Sequence, residues 1–257
     1  MNMKERLRAA ARFALKHLGV SALIAAICAA LVFAIWYPYP YGELASGREL
    51  FALVVSIDVV IGPLLTLVVY NPNKPRRELW RDLGTVFVLQ LAALGYGLHA
   101  VTQARPVWLA FEKDQFRVVA VPDIDTASLA QAPDGMAQLS WTGPKTIGVK
   151  LLDGGDPEYL RSVQLAMEGI HPAFRPGRWV DYDSQRSEVI KRSKPLSELK
   201  RKRPEHSPLI DEAVRKSGFA EIDLGYLPLS AAQHSDWIVA VSLKDGTPRL
   251  YLPIDGW

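Results

Sequence analysis

Apolar positions form three long runs within the first 103 residues, and no run of comparable length follows them. Each run has about the 20 residues that a helix needs to cross the hydrocarbon core of a bilayer. Apart from Asp58, the Asp, Glu, Lys and Arg residues of this part fall outside the runs. The pattern predicts three transmembrane helices, at about residues 18–37, 50–70 and 83–101.

After residue 103 the pattern changes to short apolar segments separated by turn signals. Segments 106–111 and 116–121 flank a polar turn, which is typical of two paired strands. Pro at the first helical position and a following Gly mark two helices, at about 157–169 and 208–218. The turn at 244–247 has a hairpin signal. The chain therefore predicts a membrane protein in which three transmembrane α-helices are followed by an α+β periplasmic domain.

The domain division follows directly from these patterns. We expect a cytoplasmic N-terminal tail at residues 1–17, a three-helix transmembrane region at 18–103 and a periplasmic α+β domain at 104–257. A cleaved signal peptide is the main alternative for the first run. That run continues to the aromatic pair Trp36-Tyr37, which favours a retained anchor because such rings are enriched at membrane interfaces.

The basic residues near the runs indicate their orientation. Lys and Arg concentrate before the first run and between the second and third, whereas only Arg48 lies between the first and second. This bias places the N-terminus and the second loop in the cytoplasm. We therefore expect a multi-pass protein of a bacterial inner membrane whose C-terminal domain is periplasmic. From residue 104 onward basic and acidic residues nearly balance, so nucleic acid is not an implied partner.

Asp58 is the carboxylate inside the second run, and it is the leading candidate site because charged groups in a bilayer are costly. Gly62 and Pro63 follow one turn later and favour a kink or a close helix contact. Tyr96 of the third run lies at a depth similar to that of Asp58, and Gln90 lies about 9 Å deeper. We expect Tyr96 to donate a hydrogen bond to Asp58. The alternative is that Asp58 serves a partner or a proton.

No catalytic, cofactor-binding or metal-binding motif is present in the sequence, and the single Cys28 forms no intrachain disulfide. His171 lies near Asp181 and Asp183, but such spacing is weak support for a metal or acid–base site. The basic segment 191–203 is typical of a solvated face, with anionic lipid headgroups or an acidic protein as alternatives. We therefore expect a protein that is not an enzyme.

Several strings in this chain resemble one family. They are KERLRA and WYPYPY, then ASGRELFALVVSIDVVIGPLLTLVVYNPNK and RPVWLAFEKDQFRVV, and finally GYLPLSAAQHSDWIVAVSLKDGTPRLYLPIDGW. Together they are similar to the TfpX/TfpZ family of type IV pilin accessory proteins. The resemblance covers both ends and the three runs, and about residues 131–220 match loosely. Its most specific part is DVVIGPLLTLVVYNP, which contains Asp58, Gly62 and Pro63.

The resemblance implies an inner-membrane accessory protein that stabilises or chaperones a cognate type IV pilin and supports pilus assembly. The implied partners are the major pilin and membrane lipids, without a cofactor. Two alternatives remain open. A membrane-anchored periplasmic enzyme needs a convergent polar cluster, and a sensory protein needs an output domain in the cytoplasm.

Overall fold

The computed structural model describes residues 3–257 as two compact units, one ending at Ala104 and one spanning Arg105–Trp257. The first unit is helical. Its α-helices are α1 Met3–Leu31, which continues as a π-helical turn Val32–Trp36, the short α2 Tyr41–Leu44, α3 Gly47–Val69 and α4 Arg76–Gln103.

The three long helices have the length and composition to cross a membrane. Large apolar side chains cover their outer surfaces, among them Leu23, Val68 and Leu89 at 62%, 72% and 59% exposure. The prediction of three long apolar helices is confirmed. Each helix begins before its predicted apolar run, because the preceding charged residues are good helix formers and continue the turn geometry.

The helices of this unit pack tightly around Tyr37. Its ring is buried and its hydroxyl donates to the carbonyl oxygen of Val101 at 2.9 Å. Gly47 lies directly against the ring, so a Cβ at this position would overlap it. Phe33 and Phe51 pack edge to face beside it, with ring centroids 5.5 Å apart. One end of the helical unit is therefore closed by aromatic packing.

A second set of contacts lies toward the other ends of the same helices. The rings of Phe13 in α1 and Tyr70 after α3 stack with centroids 4.7 Å apart. His17 Nδ1 lies 2.5 Å from the Oγ1 atom of Thr66, a residue without solvent exposure. Because α1 and α3 are held together on both sides of Asp58, the region around Asp58 is framed by fixed contacts.

The second unit is built on one mixed sheet of eight strands. They are β1 Pro106–Glu112, β2 Gln115–Ala120, β3 Lys145–Val149, β4 Trp179–Val180, β5 Lys194–Pro195, β6 Leu224–Ser230, β7 Trp237–Ser242 and β8 Pro248–Leu252. The strand order is β4-β3-β1-β2-β6-β7-β8, with β5 also paired to β6. Both predicted strand pairs are confirmed as antiparallel, β1 with β2 and β7 with β8. The pairs β1–β3 and β2–β6 are parallel.

This unit also contains four α-helices: α5 Tyr159–Met167, α6 Arg186–Arg192, α7 Leu196–Lys202 and α8 Ser207–Ser217. One core cluster includes Trp108 and Trp179, whose rings meet edge to face at 5.4 Å. Another joins α7 and α8 to the sheet through Leu199, Ile210 and Tyr226. The mixed helix and sheet composition that the sequence predicts is confirmed for this unit.

Candidate functional site

A small cleft opens between α1, α3 and α4 at the level of Asp58. It has a volume of about 70 Å³ and a largely apolar lining. Its polar lining residues are His17, Ser21, Asp58 and Gln90. The space is several times what one water molecule needs, and it is too small for a whole side of a helix. The cleft therefore has room for the end of one polar side chain or a few waters.

One face of α3 supplies the wall of this cleft. Asp58, Gly62 and Thr66 recur every fourth residue, so they lie one above another along the helix. Gly62 is buried, and the side chain of Gln90 occupies the space that a Cβ at this position would fill. The missing side chain at Gly62 thus lets α4 approach α3. Of the two alternatives for Gly62-Pro63, a kink or a close helix contact, the structure has a close contact at Gly62.

Gln90 is held against α3 by a hydrogen bond from its Nε2 to the carbonyl oxygen of Asp58 at 3.0 Å. Helix carbonyls point toward the C-terminus, so this oxygen is directed toward the level of Gly62. This geometry explains how Gln90 reaches Asp58 although its Cα was expected to lie deeper. The other amide atom, Gln90 Oε1, is buried without a hydrogen-bond partner among residues 3–257.

Pro63 lies inside α3, which continues unbroken to Val69. A proline has no N–H, so it cannot donate to the carbonyl of Val59 four residues before it. Pro63 is half-buried beside Gly62. At this turn of α3, next to the cleft, Gly62 has no side chain and Pro63 has no backbone N–H to donate.

Tyr96 does not pair with Asp58 in this structure, which corrects the expected hydrogen bond. The side chain of Tyr96 is 77% exposed, whereas its neighbour Gly97 is buried against Val54. At 3.6 residues per turn, position 97 lies on the same face as Gln90, and position 96 is rotated about 100° away from it. A similar depth along the helices does not bring Tyr96 to Asp58, because the rotation of α4 about its axis also determines which side chains face α3.

The Asp58 carboxyl group makes no hydrogen bond or ion pair with any residue that the structure describes. It lines the cleft together with the unpartnered Gln90 Oε1. Both groups are hydrogen-bond acceptors when Asp58 is ionised. An arriving group with a donor would therefore find complementary chemistry here.

His17 and Thr66 belong to this region and were not found from the sequence. Thr66 continues the fourfold spacing that begins at Asp58, which is a signal that the sequence contains. His17 lies at the border of the basic tail and the first apolar run, where its role depends on the packing of α1 against α3. Such a contact between distant segments leaves no local pattern.

In the second unit, His171 does not form a site with Asp181 and Asp183. The imidazole packs edge-on against Phe174 with centroids 5.4 Å apart, and burial lowers its pKa. Asp181 instead accepts a hydrogen bond from the backbone N–H of Asp183 at 2.8 Å. No group of three His, Cys, Asp or Glu side chains within the described range 3–257 is arranged to hold a metal ion.

The basic segment 191–203 is largely neutralised by neighbouring acids. Lys191 and Arg192 both contact Glu188. Further along, Lys200 contacts Asp211 and Glu221, Lys202 contacts Glu198, and Arg203 contacts Asp255. These pairs are typical of a solvated, salt-bridged helix surface.

Known proteins with similar sequences have names related to fimbriae. The family model described as fimbrial assembly protein FimB matches residues 5–46. A protein of Dichelobacter nodosus named "Fimbrial assembly protein, serogroup I" is 32% identical over 238 residues, 92% of each chain. The serogroup E1 protein of the same organism is 31% identical over 237 residues, again 92% of each chain. No solved structure matches the chain significantly.

Proposed function

The chain belongs to the fimbrial assembly proteins, an accessory family of type IV pili with a role in pilus assembly, and from this premise we propose that it binds and stabilises a cognate pilin. In this proposal the protein acts as a chaperone without enzymatic activity. Its partners are the major pilin and the lipids around its helices. Binding the membrane-held pilin in preference to misassembled forms protects it by mass action.

We propose that the three long helices cross the bacterial inner membrane, with the N-terminus in the cytoplasm and residues 104–257 in the periplasm. The apolar outer surfaces of the helices and the positions of the basic residues support this orientation. A reporter active only outside the cytoplasm should work when fused after Trp257 or at Gly47 and should be silent at Lys74. Activity at Lys74 with silence at Trp257 would reverse the orientation.

The cleft at Asp58 is the observation that carries the proposal of direct pilin binding. An ionisable group within an apolar helix is expensive, and it normally has a partner inside the protein. The Asp58 side chain has none among residues 3–257, and it lines a cleft between apolar helices. In the proposal, the apolar helix of the pilin lies against α1, α3 and α4 and brings a hydrogen-bond donor to this cleft.

Deletion of the gene tests this function. Cells without the protein should contain less pilin and fewer surface pili, while the pilin transcript stays unchanged, because an unprotected pilin is degraded. Expression of the wild-type gene from a plasmid is the control and should restore both. Normal pilin levels and piliation in the deletion strain, in a host with a single accessory gene of this kind, would contradict the proposal.

A further inference from the structure

A second cleft lies in the Arg105–Trp257 unit, beside α5. It has a volume of about 510 Å³ and is lined by α5, the 3₁₀ segment Thr126–Gln131, Arg175 and the 3₁₀ segment Pro176–Arg178. Three arginines line it: Arg161, Arg175 and Arg178. Such a concentration of guanidinium groups in a concave site is typical of carboxylate or phosphate recognition. We call this site, with Arg161, Arg175 and Arg178 in its wall, the arginine cleft.

The acids of the arginine cleft leave two of its arginines without an ion pair. Arg178 pairs with Glu158 at 2.9 Å. The Arg175 Nη2 group donates to the hydroxyl of Ser162 at 2.5 Å, and its buried Nε has no hydrogen-bond partner in the described part of the chain. Burial and the nearby Arg178 lower the pKa of Arg175. The positive charge at Arg175 is thus incompletely compensated.

Arg161 is the second unpaired arginine. It is exposed on α5 and contacts no acid or acceptor of residues 3–257. Asp125, the remaining acid of the cleft, accepts a hydrogen bond from the backbone N–H of Ala127 at 3.1 Å and forms no ion pair with these arginines. Three arginines against two acids leave the cleft with an excess of positive charge, and an incoming anionic group would meet two guanidiniums without an ion pair.

The outer side of α5 is apolar and uncovered. None of its residues is buried. Leu160, Val163 and Met167 are 78%, 41% and 84% exposed, and Val163 and Met167 line an adjoining groove of about 430 Å³. A free phosphate bound in the cleft would leave the apolar side of α5 exposed to water. A polypeptide with an acidic residue next to apolar residues would bind the arginines and also cover this apolar side. The combination favours a protein partner.

We propose that the arginine cleft binds a carboxylate on the periplasmic part of the pilin, with apolar pilin residues covering the outer side of α5. This inference rests on the proposed function, since it assigns a second contact to the same partner. The pilin is then held at two places. Its apolar helix binds at the Asp58 cleft, and its periplasmic part binds at the arginine cleft. The long-range attraction of the arginines also favours encounter with an acidic surface.

Photo-crosslinking in cells tests this contact. A photoreactive residue at Leu160 should give an adduct with pilin, and one at the equally exposed Ile222 should not. Arg161→Glu should lower the Leu160 adduct about tenfold, because it places a carboxylate against the incoming one. Arg201→Glu is the matched control, since Arg201 is also an exposed, unpaired arginine on a helix, and it should leave the adduct unchanged.

The outcomes separate this inference from the proposed function. Absence of a pilin adduct at Leu160, or an adduct that Arg161→Glu leaves unchanged, would overturn the inference. Binding of inorganic phosphate to the purified full-length protein that requires Arg161, without a pilin adduct, would overturn it in favour of a small-anion site. If the deletion strain still shows the pilin loss described above, the proposed function stands even when the inference fails.

Discussion

At the scale of single residues, Gly97 shows how closely α3 and α4 approach. A Cβ at Gly97 would overlap the branched side chain of Val54, which is stiff at χ1. We expect Gly97→Ala to lower the free energy of unfolding by about 1–3 kcal/mol, the usual cost of overpacking. Thermal unfolding of the detergent-solubilised protein measures it.

The control for this substitution lies two residues earlier on the same helix. Among the described residues, a Cβ at Gly95 would meet no atom within 4 Å apart from its chain neighbours and the nearby backbone of its own helix. Gly95→Ala should therefore leave stability unchanged or raise it slightly, because Ala favours the helix. Equal destabilisation by both substitutions would show that helix packing at Gly97 is looser than described.

We expect Asp58 to serve pilin binding rather than the stability of the helical unit. Because its carboxyl group has no partner among residues 3–257, removing it breaks no internal contact. Asp58→Leu should leave the thermal unfolding temperature near that of the wild type and yet lower pilin abundance in cells. Asp58→Asn should retain part of the function, since the amide oxygen still accepts a hydrogen bond. A parallel loss of stability and pilin in Asp58→Leu would instead indicate a structural role.

At the scale of elements, the turn between β7 and β8 is fixed by side chains outside the hairpin. Arg186 donates to the carbonyl oxygen of Asp245 at 2.7 Å and to the Thr247 hydroxyl at 2.9 Å. Tyr182 donates to the carbonyl oxygen of Gly246 at 2.5 Å, and Gly246 has a φ of +68° that favours glycine. The turn is therefore docked on α6 and the segment before it.

Asp245 makes the stability of this turn depend on pH. The backbone N–H of Thr247 donates to its carboxylate and lowers the pKa of Asp245 to about 2. The value in an unfolded chain is about 3.9, so the contribution is complete above that pH and is lost as the pH falls through about 2. The difference in unfolding temperature between wild type and Asp245→Ala should therefore shrink between pH 5 and pH 2, roughly the window of this titration.

A matched control for the turn is Asp134→Ala, which removes an exposed carboxylate without a hydrogen bond or ion pair in the described chain. This variant should unfold close to the wild-type temperature at neutral pH. An Asp245→Ala variant that is as stable as wild type at neutral pH would contradict the role given to the Thr247 hydrogen bond.

Elements with local signals could be predicted from the sequence. Pro208 and Gly218 bound α8 as expected, with Gly218 in the left-handed region at φ +74°. The β1–β2 and β7–β8 hairpins join neighbouring segments, so their turn residues suffice to predict them. The sequence also predicts the position of the candidate site, because Asp58 and Gly62 are a carboxylate and a glycine within an otherwise apolar run.

At the scale of the whole molecule, the sequence alone could not predict pairings between distant segments. The parallel pairs β1–β3 and β2–β6 place strands side by side across long stretches of chain, and no turn motif specifies them. The same limit explains the partner wrongly assigned to Asp58, because the rotation of α4 against α3 depends on packing at Gly62 and Gly97. His17 at Thr66 is a further example.

We propose that the pilin binds directly at the cleft between α1, α3 and α4. Photo-crosslinking at Leu91, which lines the cleft and is 47% exposed, tests this contact. Leu89 is the control, because it is 59% exposed on α4 and lies outside the cleft lining. We predict a pilin adduct at Leu91 that Asp58→Leu abolishes, and none at Leu89. Equal adducts at both positions, or an adduct at Leu91 that Asp58→Leu leaves unchanged, would contradict direct binding of the pilin at the cleft.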